Sequence, residues 1–384
     1  MKQERIFKER LEHLIACPSV SSTRADIDMG NLGVIEHLAN VFEGLGFECE
    51  IMHLGDSGNK ANLIATMGTG EGGLVLAGHS DTVPFDSNRW DTDPLSLVDA
   101  DNRFYGLGSC DMKGFFPVIM AAVEALALDT RNLKEPLIVL ATADEESSMN
   151  GARSLVERGG FGARYAIIGE PTSLSPIRMH KGIAMDRIRI QGLAGHSSNP
   201  TLGHSALESM NAVISELLDF RAEIQAKYNN PGFEIQTPTL NLGCIHGGDN
   251  PNRICGHCEL EFDLRPLPGM KIDVLEAELD ARLSRIAETF NTSLTLEKIF
   301  PDVPPYEEKA DSEIVKLCEK LSGSNAQSVA FATEAPFLQQ LGMQTIVLGP
   351  GSIDQAHQPN EYIAHEQINP AINIIKGAIT SCCI

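Results

Sequence analysis

The chain has 384 residues, more than one compact hydrophobic core holds, which predicts two domains. Its formal net charge is −22 without any basic run, which excludes nucleic acid and anionic membranes as expected partners. No apolar run is long enough to cross a bilayer, and the charged N-terminus lacks the apolar segment of a signal peptide. Nine cysteines at scattered spacings predict reduced thiols and a cytoplasmic location.

Helices and strands alternate in the first half of the chain. Hydrophobic spacing predicts helices at Ile6–Ile15, Leu32–Leu45, Gly114–Leu128 and Ala152–Arg158. Short apolar runs predict strands at Phe47–Met52, Asn62–Met67, Leu74–Ala77, Leu137–Ala141 and Tyr165–Ile168. This alternation is typical of an α/β domain, and it predicts a mixed or largely parallel sheet with helices on both faces.

The segment Gly68–Gly73 matches the pattern G-x-G-x-x-G. In a dinucleotide site this pattern opens a helix, whereas a strand follows it here. We therefore predict a hairpin turn between the strands on either side, and no phosphate site.

The pattern changes after Glu170 to a unit with the order β-α-β-β-α-β. Its predicted strands and helices are Ile183–Gln191, Ser205–Tyr228, Thr239–Ile245, Ile254–Arg265, Asp273–Phe290 and Ser293–Lys298. The first pattern then returns at Asp311–Leu321, Gln327–Ala330, Thr345–Leu348 and Ile368–Thr380. We predict a catalytic domain of residues 1–181 and 297–384, interrupted by an inserted α+β domain of residues 182–296.

Acidic and histidine side chains follow five apolar segments of the first domain. They are His79 with Asp81, Asp111, Asp144–Glu146, Glu170 and His357. A single acidic turn is most often solvated. In open α/β sheets, however, ligands bind beyond the carboxyl ends of the strands. Five such segments converging on one edge therefore predict a metal site.

Long motifs surround these residues and continue through the inserted domain. They are Gly78-His79-Ser80-Asp81-Thr82-Val83-Pro84, Gly106–Gly114, Asp144-Glu145-Glu146, Gly169-Glu170-Pro171-Thr172, Gly195-His196-Ser197-Ser198, Asn252-Arg253-Ile254-Cys255, Asp263-Leu264-Arg265 and Thr333-Glu334-Ala335. Nearly end to end, the chain resembles the dinuclear zinc amidohydrolases, which include aminoacylases and desuccinylases. The resemblance implies a zinc-exopeptidase-like fold whose inserted domain is a lid and a dimerisation domain.

The resemblance also implies a ligand set for two metal ions. Asp111 would bridge the ions, His79 and Glu170 would complete one site, and Glu146 and His357 the other. Nitrogen and oxygen ligands of this kind suit zinc, cobalt or manganese. The expected cofactors are two divalent ions, with zinc the first expectation and cobalt an alternative.

Further roles follow from the same resemblance. Glu145 would be the general base, Asp81 would orient His79, and His196 would stabilise an oxyanion from the partner subunit of a homodimer. The candidate substrate-binding residues are Asn252, Arg253, Arg265 and Glu334. Of these, Asn252 and Arg265 could bind an α-carboxylate. Glu334 could pair with a distal ammonium, or could be an ordinary acid at a helix start.

The expected reaction is amide hydrolysis of N2-acetyl-L-ornithine to L-ornithine and acetate, a step of arginine biosynthesis. Two alternatives stay open: hydrolysis of N-succinyl-diaminopimelate, and general hydrolysis of N-acyl amino acids. A metal-binding or peptide-binding protein without catalysis is a third, against which the intact Glu145 argues.

Overall fold

The computed structural model describes residues 2–55 and 58–384. Its α-helices are α1 Lys2–Ala16, α2 Leu32–Gly44, α3 Phe115–Leu126, α4 Asn150–Arg158, α5 Ala206–Lys227, α6 Ile272–Thr289, α7 Glu313–Ser322, α8 Ala335–Gln340 and α9 His365–Cys383. Its strands are β1 Glu48–Leu54, β2 Lys60–Met67, β3 Leu74–His79, β4 Val98–Ala100, β5 Arg103–Tyr105, β6 Leu137–Thr142, β7 Tyr165–Pro171, β8 Ile177–His180, β9 Ala184–Gln191, β10 Thr239–Gly247, β11 His257–Arg265, β12 Ser293–Lys298, β13 Tyr306–Glu307, β14 Gln327–Val329, β15 Gln344–Gly349 and β16 Tyr362–Ala364. Within these two ranges, none of the helices has the length and hydrophobicity of a membrane span.

The chain divides into two units. The first consists of the residues up to Arg178 with Glu308–Gln327 and Thr333–Ile384, and the second of Met179–Glu307 with Ser328–Ala332. The second unit starts before residue 182 and runs past residue 296, because Tyr306 of β13 pairs with His180 of β8.

The first unit is built on a mixed sheet that runs in the order β1-β2-β6-β3-β7-β15. The central strands β6, β3, β7 and β15 are parallel, whereas β1 and β2 are antiparallel to their neighbours. Every residue of β3 and β6 is buried, so both faces of the sheet centre are covered. Helix α2 packs against β1 and β2, and α8 against β15. The predicted α/β fold class is confirmed.

The parallel strands bring their carboxyl ends to one edge of the sheet. β3 ends at His79, β6 at Thr142 and β7 at Pro171, while β15 ends at Gly349, shortly before His357. The hydrophobic interior of these strands thus positions the polar side chains that follow them.

The predicted hairpin at Gly68–Gly73 is wrong. Strands β2 and β3 are not neighbours, because β6 lies between them and pairs with both. The N–H of Gly73 donates to the carboxylate of Glu135 at 2.6 Å. A local turn pattern does not show that a strand from a later part of the chain inserts between its two flanks.

The second unit contains an antiparallel sheet in the order β10-β11-β9-β12. Helices α5 and α6 pack against each other, and their buried side chains share one hydrophobic cluster with the sheet. This is the predicted β-α-β-β-α-β unit. All nine cysteines of the chain are free thiols, as the sequence predicts.

Candidate metal centre

His79, at the end of β3, is fully enclosed by protein atoms, with 1% of its surface exposed. Its Nδ1 lies 3.0 Å from the main-chain oxygen of Asp81, and its Nε2 lies 3.0 Å from Oδ1 of Asp111. A donor hydrogen bond from Nδ1 to the carbonyl leaves the lone pair of Nε2 for a metal ion. The main chain therefore selects the tautomer of His79 that a ligand needs.

Asp111, Glu170 and His79 form the first group of ligand atoms. Asp111 comes from the loop after β5 and Glu170 from β7, and one atom of each of the three residues lies within 4.8 Å of the others. Oε1 of Glu170 is buried without a hydrogen-bond partner among the described residues. Because buried carboxylate oxygens are almost always paired, this atom fits a metal ligand.

Asp111 also belongs to a second group, with Glu146 and His357. Nε2 of His357 lies 3.0 Å from Oε2 of Glu146 and 3.6 Å from Oδ2 of Asp111. Oδ1 of Asp111 thus faces His79, while Oδ2 faces His357. A carboxylate in this arrangement could bind one metal ion with each oxygen.

The charges of these residues suit divalent cations. Burial raises the pKa of Glu170 well above its usual range, and the negative charges of Asp111 and Glu146 raise it further. A divalent cation bound here would offset both the burial and the repulsion. The donors are imidazole nitrogens and carboxylate oxygens, which suit zinc or cobalt. The structure thus brings together all five side chains that the sequence suggests as ligands.

Glu145 lies beside these groups but belongs to neither of them. Burial raises the pKa of its carboxyl well above the usual range, and the charges of Glu170 and Glu146 act in the same direction. A general base must be close to the reacting water without being held by a metal ion. Glu145 meets the second part of this requirement, because it is in neither ligand group.

Asp81 contacts His79 in a way that the sequence does not predict. Its carboxylate Oδ1 is 3.7 Å from Nδ1 of His79, too far for a hydrogen bond, and the main-chain carbonyl makes the contact instead. The carboxylate accepts hydrogen bonds from the main-chain N–H groups of Glu145 at 3.3 Å and Glu146 at 3.1 Å. Asp81 therefore holds the loop that carries both glutamates.

Asp144, the first of three consecutive acids, lies outside both ligand groups. Its Oδ1 accepts hydrogen bonds from Nζ of Lys60 at 2.6 Å and from the hydroxyl of Ser21 at 2.9 Å. Its backbone φ is +61°, a left-handed conformation that aspartate tolerates better than most residues. This turn separates Asp144 from Glu145 and Glu146, the two acids to which the resemblance assigns roles.

Glu334 is buried, with 1% of its surface exposed. Its Oε2 accepts a hydrogen bond from the hydroxyl of Thr142 at 2.9 Å, and burial raises its pKa to about 7. Its Oε1 has no hydrogen-bond partner within residues 2–55 and 58–384. Glu334 stands at the start of α8, but its side chain makes no capping hydrogen bond there.

The other candidate residues belong to the second unit. His196 is exposed on a loop and forms an isolated β-bridge with Arg253, and Asn252 beside it is also exposed. Arg265 ends β11, and its Nε donates to both carboxylate oxygens of Asp263 at 2.9 Å. The loop position of His196 agrees with the glycine and serines around it.

Comparisons with known proteins identify the family of the chain. The model of peptidase family M20/M25/M40 matches residues 75–381. A protein of Vibrio cholerae named acetylornithine deacetylase is 49% identical over 377 residues, 98% of each chain. Proteins of the same name from Pectobacterium carotovorum and Salmonella arizonae are 48% and 47% identical, over the same shares of the chains.

Solved structures share the fold at low sequence identity. An aminopeptidase from Bacillus cereus has a TM-score of 0.76 at 21% identity and covers 98% of both chains. An M20 family metallo-carboxypeptidase from Sulfolobus solfataricus has a TM-score of 0.74 at 18% identity, and the match covers 99% of this chain and 98% of the other. These likenesses support the fold alone.

The position of Glu145 outside both ligand groups generates a prediction. Glu145→Gln should keep both metal ions and lower turnover by about 10²–10⁴-fold, the usual contribution of a positioned base. Glu146→Gln is the matched control. Glu146 is the next residue in the chain but lies in the second ligand group, so the loss of its carboxylate should reduce the metal content. Elemental analysis of both variants, with the rate of amide hydrolysis, checks this. If Glu145→Gln lost both ions, Glu145 would be shown to be a metal ligand, which would contradict the prediction.

Proposed function

This chain belongs to peptidase family M20/M25/M40, and we propose that it hydrolyses N2-acetyl-L-ornithine to L-ornithine and acetate, a step of arginine biosynthesis. The observation that carries this proposal is the carboxylate of Asp111 shared by two ligand groups, with Glu145 beside them. Relatives about half identical along nearly the whole chain bear the name of this activity. The nine free thiols support a reducing, cytoplasmic location.

The five ligand side chains would hold two divalent ions. Zinc is the expected metal for both ions, and cobalt is the alternative. His79, Asp111 and Glu170 would hold one, and Asp111, Glu146 and His357 the other. When bound, such ions polarise an amide carbonyl and lower the pKa of water.

Glu145 would move the proton. As a base it takes a proton from the attacking water, and as an acid it passes this proton to the amine nitrogen that leaves. Asp81 holds the main chain of Glu145 and thereby limits where the carboxylate can reach.

The substrate's two charged groups would be bound by different residues. Glu334, whose Oε1 is unpaired among the described residues, is suited to the distal ammonium of ornithine. Asn252 and Arg265 would bind the α-carboxylate, with Arg265 offering a forked contact, and Arg253 is a further candidate for substrate binding. Burying an unpaired carboxylate costs free energy unless a cation meets it, which supports a binding role for Glu334.

A homodimer is the proposed assembly, with His196 donating to the oxyanion in the site of the partner subunit. This assignment is supported by the exposure of His196 on a loop, because an exposed side chain can contact a second copy of the chain. A two-fold dimer would give each site one such residue. A donor aimed at a developing oxyanion contributes about 2.7–4 kcal/mol in comparable enzymes.

The substrate proposal predicts a ranking of rates. With zinc or cobalt supplied, kcat/KM should be at least about tenfold higher for N2-acetyl-L-ornithine than for N-succinyl-diaminopimelate or N-acetylmethionine, because only ornithine offers Glu334 a simple side-chain ammonium. Measuring the amine released from each compound checks this. A ranking led by N-succinyl-diaminopimelate would favour a desuccinylase, and no release from any compound would favour a binding protein.

Glu334→Gln should separate recognition from chemistry. We expect kcat/KM for N2-acetyl-L-ornithine to fall about 10–100-fold, the loss expected for a hydrogen bond between charged groups. The rate with N-acetylmethionine should stay within about threefold, because its side chain carries no charge. Equal losses with both substrates would leave Glu334 as a structural residue.

The homodimer generates a complementation test. His196→Ala and Glu145→Gln subunits should each be inactive alone, since each lacks one part of every site. Mixed subunits should regain about a quarter of the native activity, because half of the random dimers contain one intact site. Subunit exchange is verified by native mass spectrometry. Proven exchange without recovery would place His196 within its own chain or outside the reaction.

A further inference from the structure

Glu361 is a buried carboxylate that no sequence motif indicates as functional. It immediately precedes β16, and 2% of its surface is exposed. Its Oε2 accepts a hydrogen bond from the N–H of Gly108 at 2.8 Å. Its Oε1 accepts two more, from Cys110 at 2.7 Å and from Asp111 at 2.9 Å. One side chain thus binds three main-chain groups of the loop that carries Asp111.

These contacts matter because the loop has no regular structure of its own between β5 and α3. Buried N–H groups in such a loop need partners from elsewhere in the protein. The main-chain oxygen of Glu361 also accepts a hydrogen bond from the N–H of Gly106 at 3.0 Å. Glu361 therefore binds the loop on both sides of the turn before Asp111.

Glu361 also lies on the same short segment as His357. Asp111 and His357 are two members of the second ligand group, with 3.6 Å between Oδ2 and Nε2. The hydrogen bonds of Glu361 join the loop that carries Asp111 to the segment that carries His357. A shift of either segment would change the distance between the two ligand atoms.

We propose that Glu361 is a positioning residue, which fixes Asp111 between the two ligand groups and thereby sets the metal affinity of both. The proposal rests on the metal centre of the proposed function. Glu361 acts through the main chain of Asp111 and does not itself contact the metal or the substrate. Outer partners that orient metal ligands typically contribute 10–100-fold to metal affinity.

Glu308 provides a matched control in the same unit. It is likewise a buried glutamate, with 7% exposure, and its carboxylate accepts main-chain hydrogen bonds from Lys309 and Thr345 at 3.0 Å. Neither of these partners belongs to a ligand group. Glu308→Gln should therefore perturb folding as much as Glu361→Gln does, without a direct effect on the metal centre.

The experiment measures metal binding by Glu361→Gln, Glu361→Ala and Glu308→Gln. Glu361→Gln can keep its oxygen toward Cys110 and Asp111, but it turns an amide N–H toward the N–H of Gly108. The metal-free proteins are titrated with zinc against a chelating dye, and the visible absorption of the cobalt-loaded proteins reports ligand geometry. Circular dichroism verifies the fold of each variant.

We expect zinc affinity to fall about tenfold in Glu361→Gln and further in Glu361→Ala, with an altered cobalt spectrum. Glu308→Gln should bind zinc as the native chain does. Native affinity and spectrum in a folded Glu361→Ala, or in Glu361→Gln if the alanine variant does not fold, would overturn the proposal. An equal loss in Glu308→Gln would also overturn it. If the native chain binds two ions but hydrolyses no acylated amino acid, the proposed function fails while the role of Glu361 stands.

Discussion

The rest of the first unit depends on one constraint, which is that Asp111 belongs to both ligand groups. Its two oxygens face His79 on one side and His357 on the other, among further buried acids. Carboxylates placed this close repel each other and lose their hydration, so they need rigid support and opposing charge. The parallel centre of the sheet supplies the rigidity, because four strand ends meet at one edge.

Neutral hydrogen bonds between strand ends provide much of that support. The hydroxyl of Ser80, next to His79, donates to the carbonyl of Thr142 at 2.7 Å, which joins the ends of β3 and β6. The hydroxyl of Thr142 in turn donates to Glu334. These contacts fix the main chain beside the charged residues and so help to hold the ligand groups in position.

Sequence periodicity predicted the mixed sheet and the inserted unit well, because buried strands and amphipathic helices leave local patterns. It also indicated the acids and histidines after the strands. It failed where contacts join distant parts of the chain. Strand β6 inserts between β2 and β3, the carboxylate of Asp81 accepts a hydrogen bond from the main chain of Glu146, and Glu361 accepts one from the main chain of Asp111. No local pattern records such a pairing, since each partner looks ordinary on its own.

The two glutamates Glu145 and Glu334 have the same side chain but different neighbours. Glu145 lies outside the ligand groups, and burial, together with the charges of Glu170 and Glu146, raises the pKa of its carboxyl. Glu334 is held by Thr142 and keeps one oxygen unpaired among the described residues, which suits a cationic group. Under the proposed function, a change at Glu334 would alter substrate choice, because Glu334 belongs to neither ligand group.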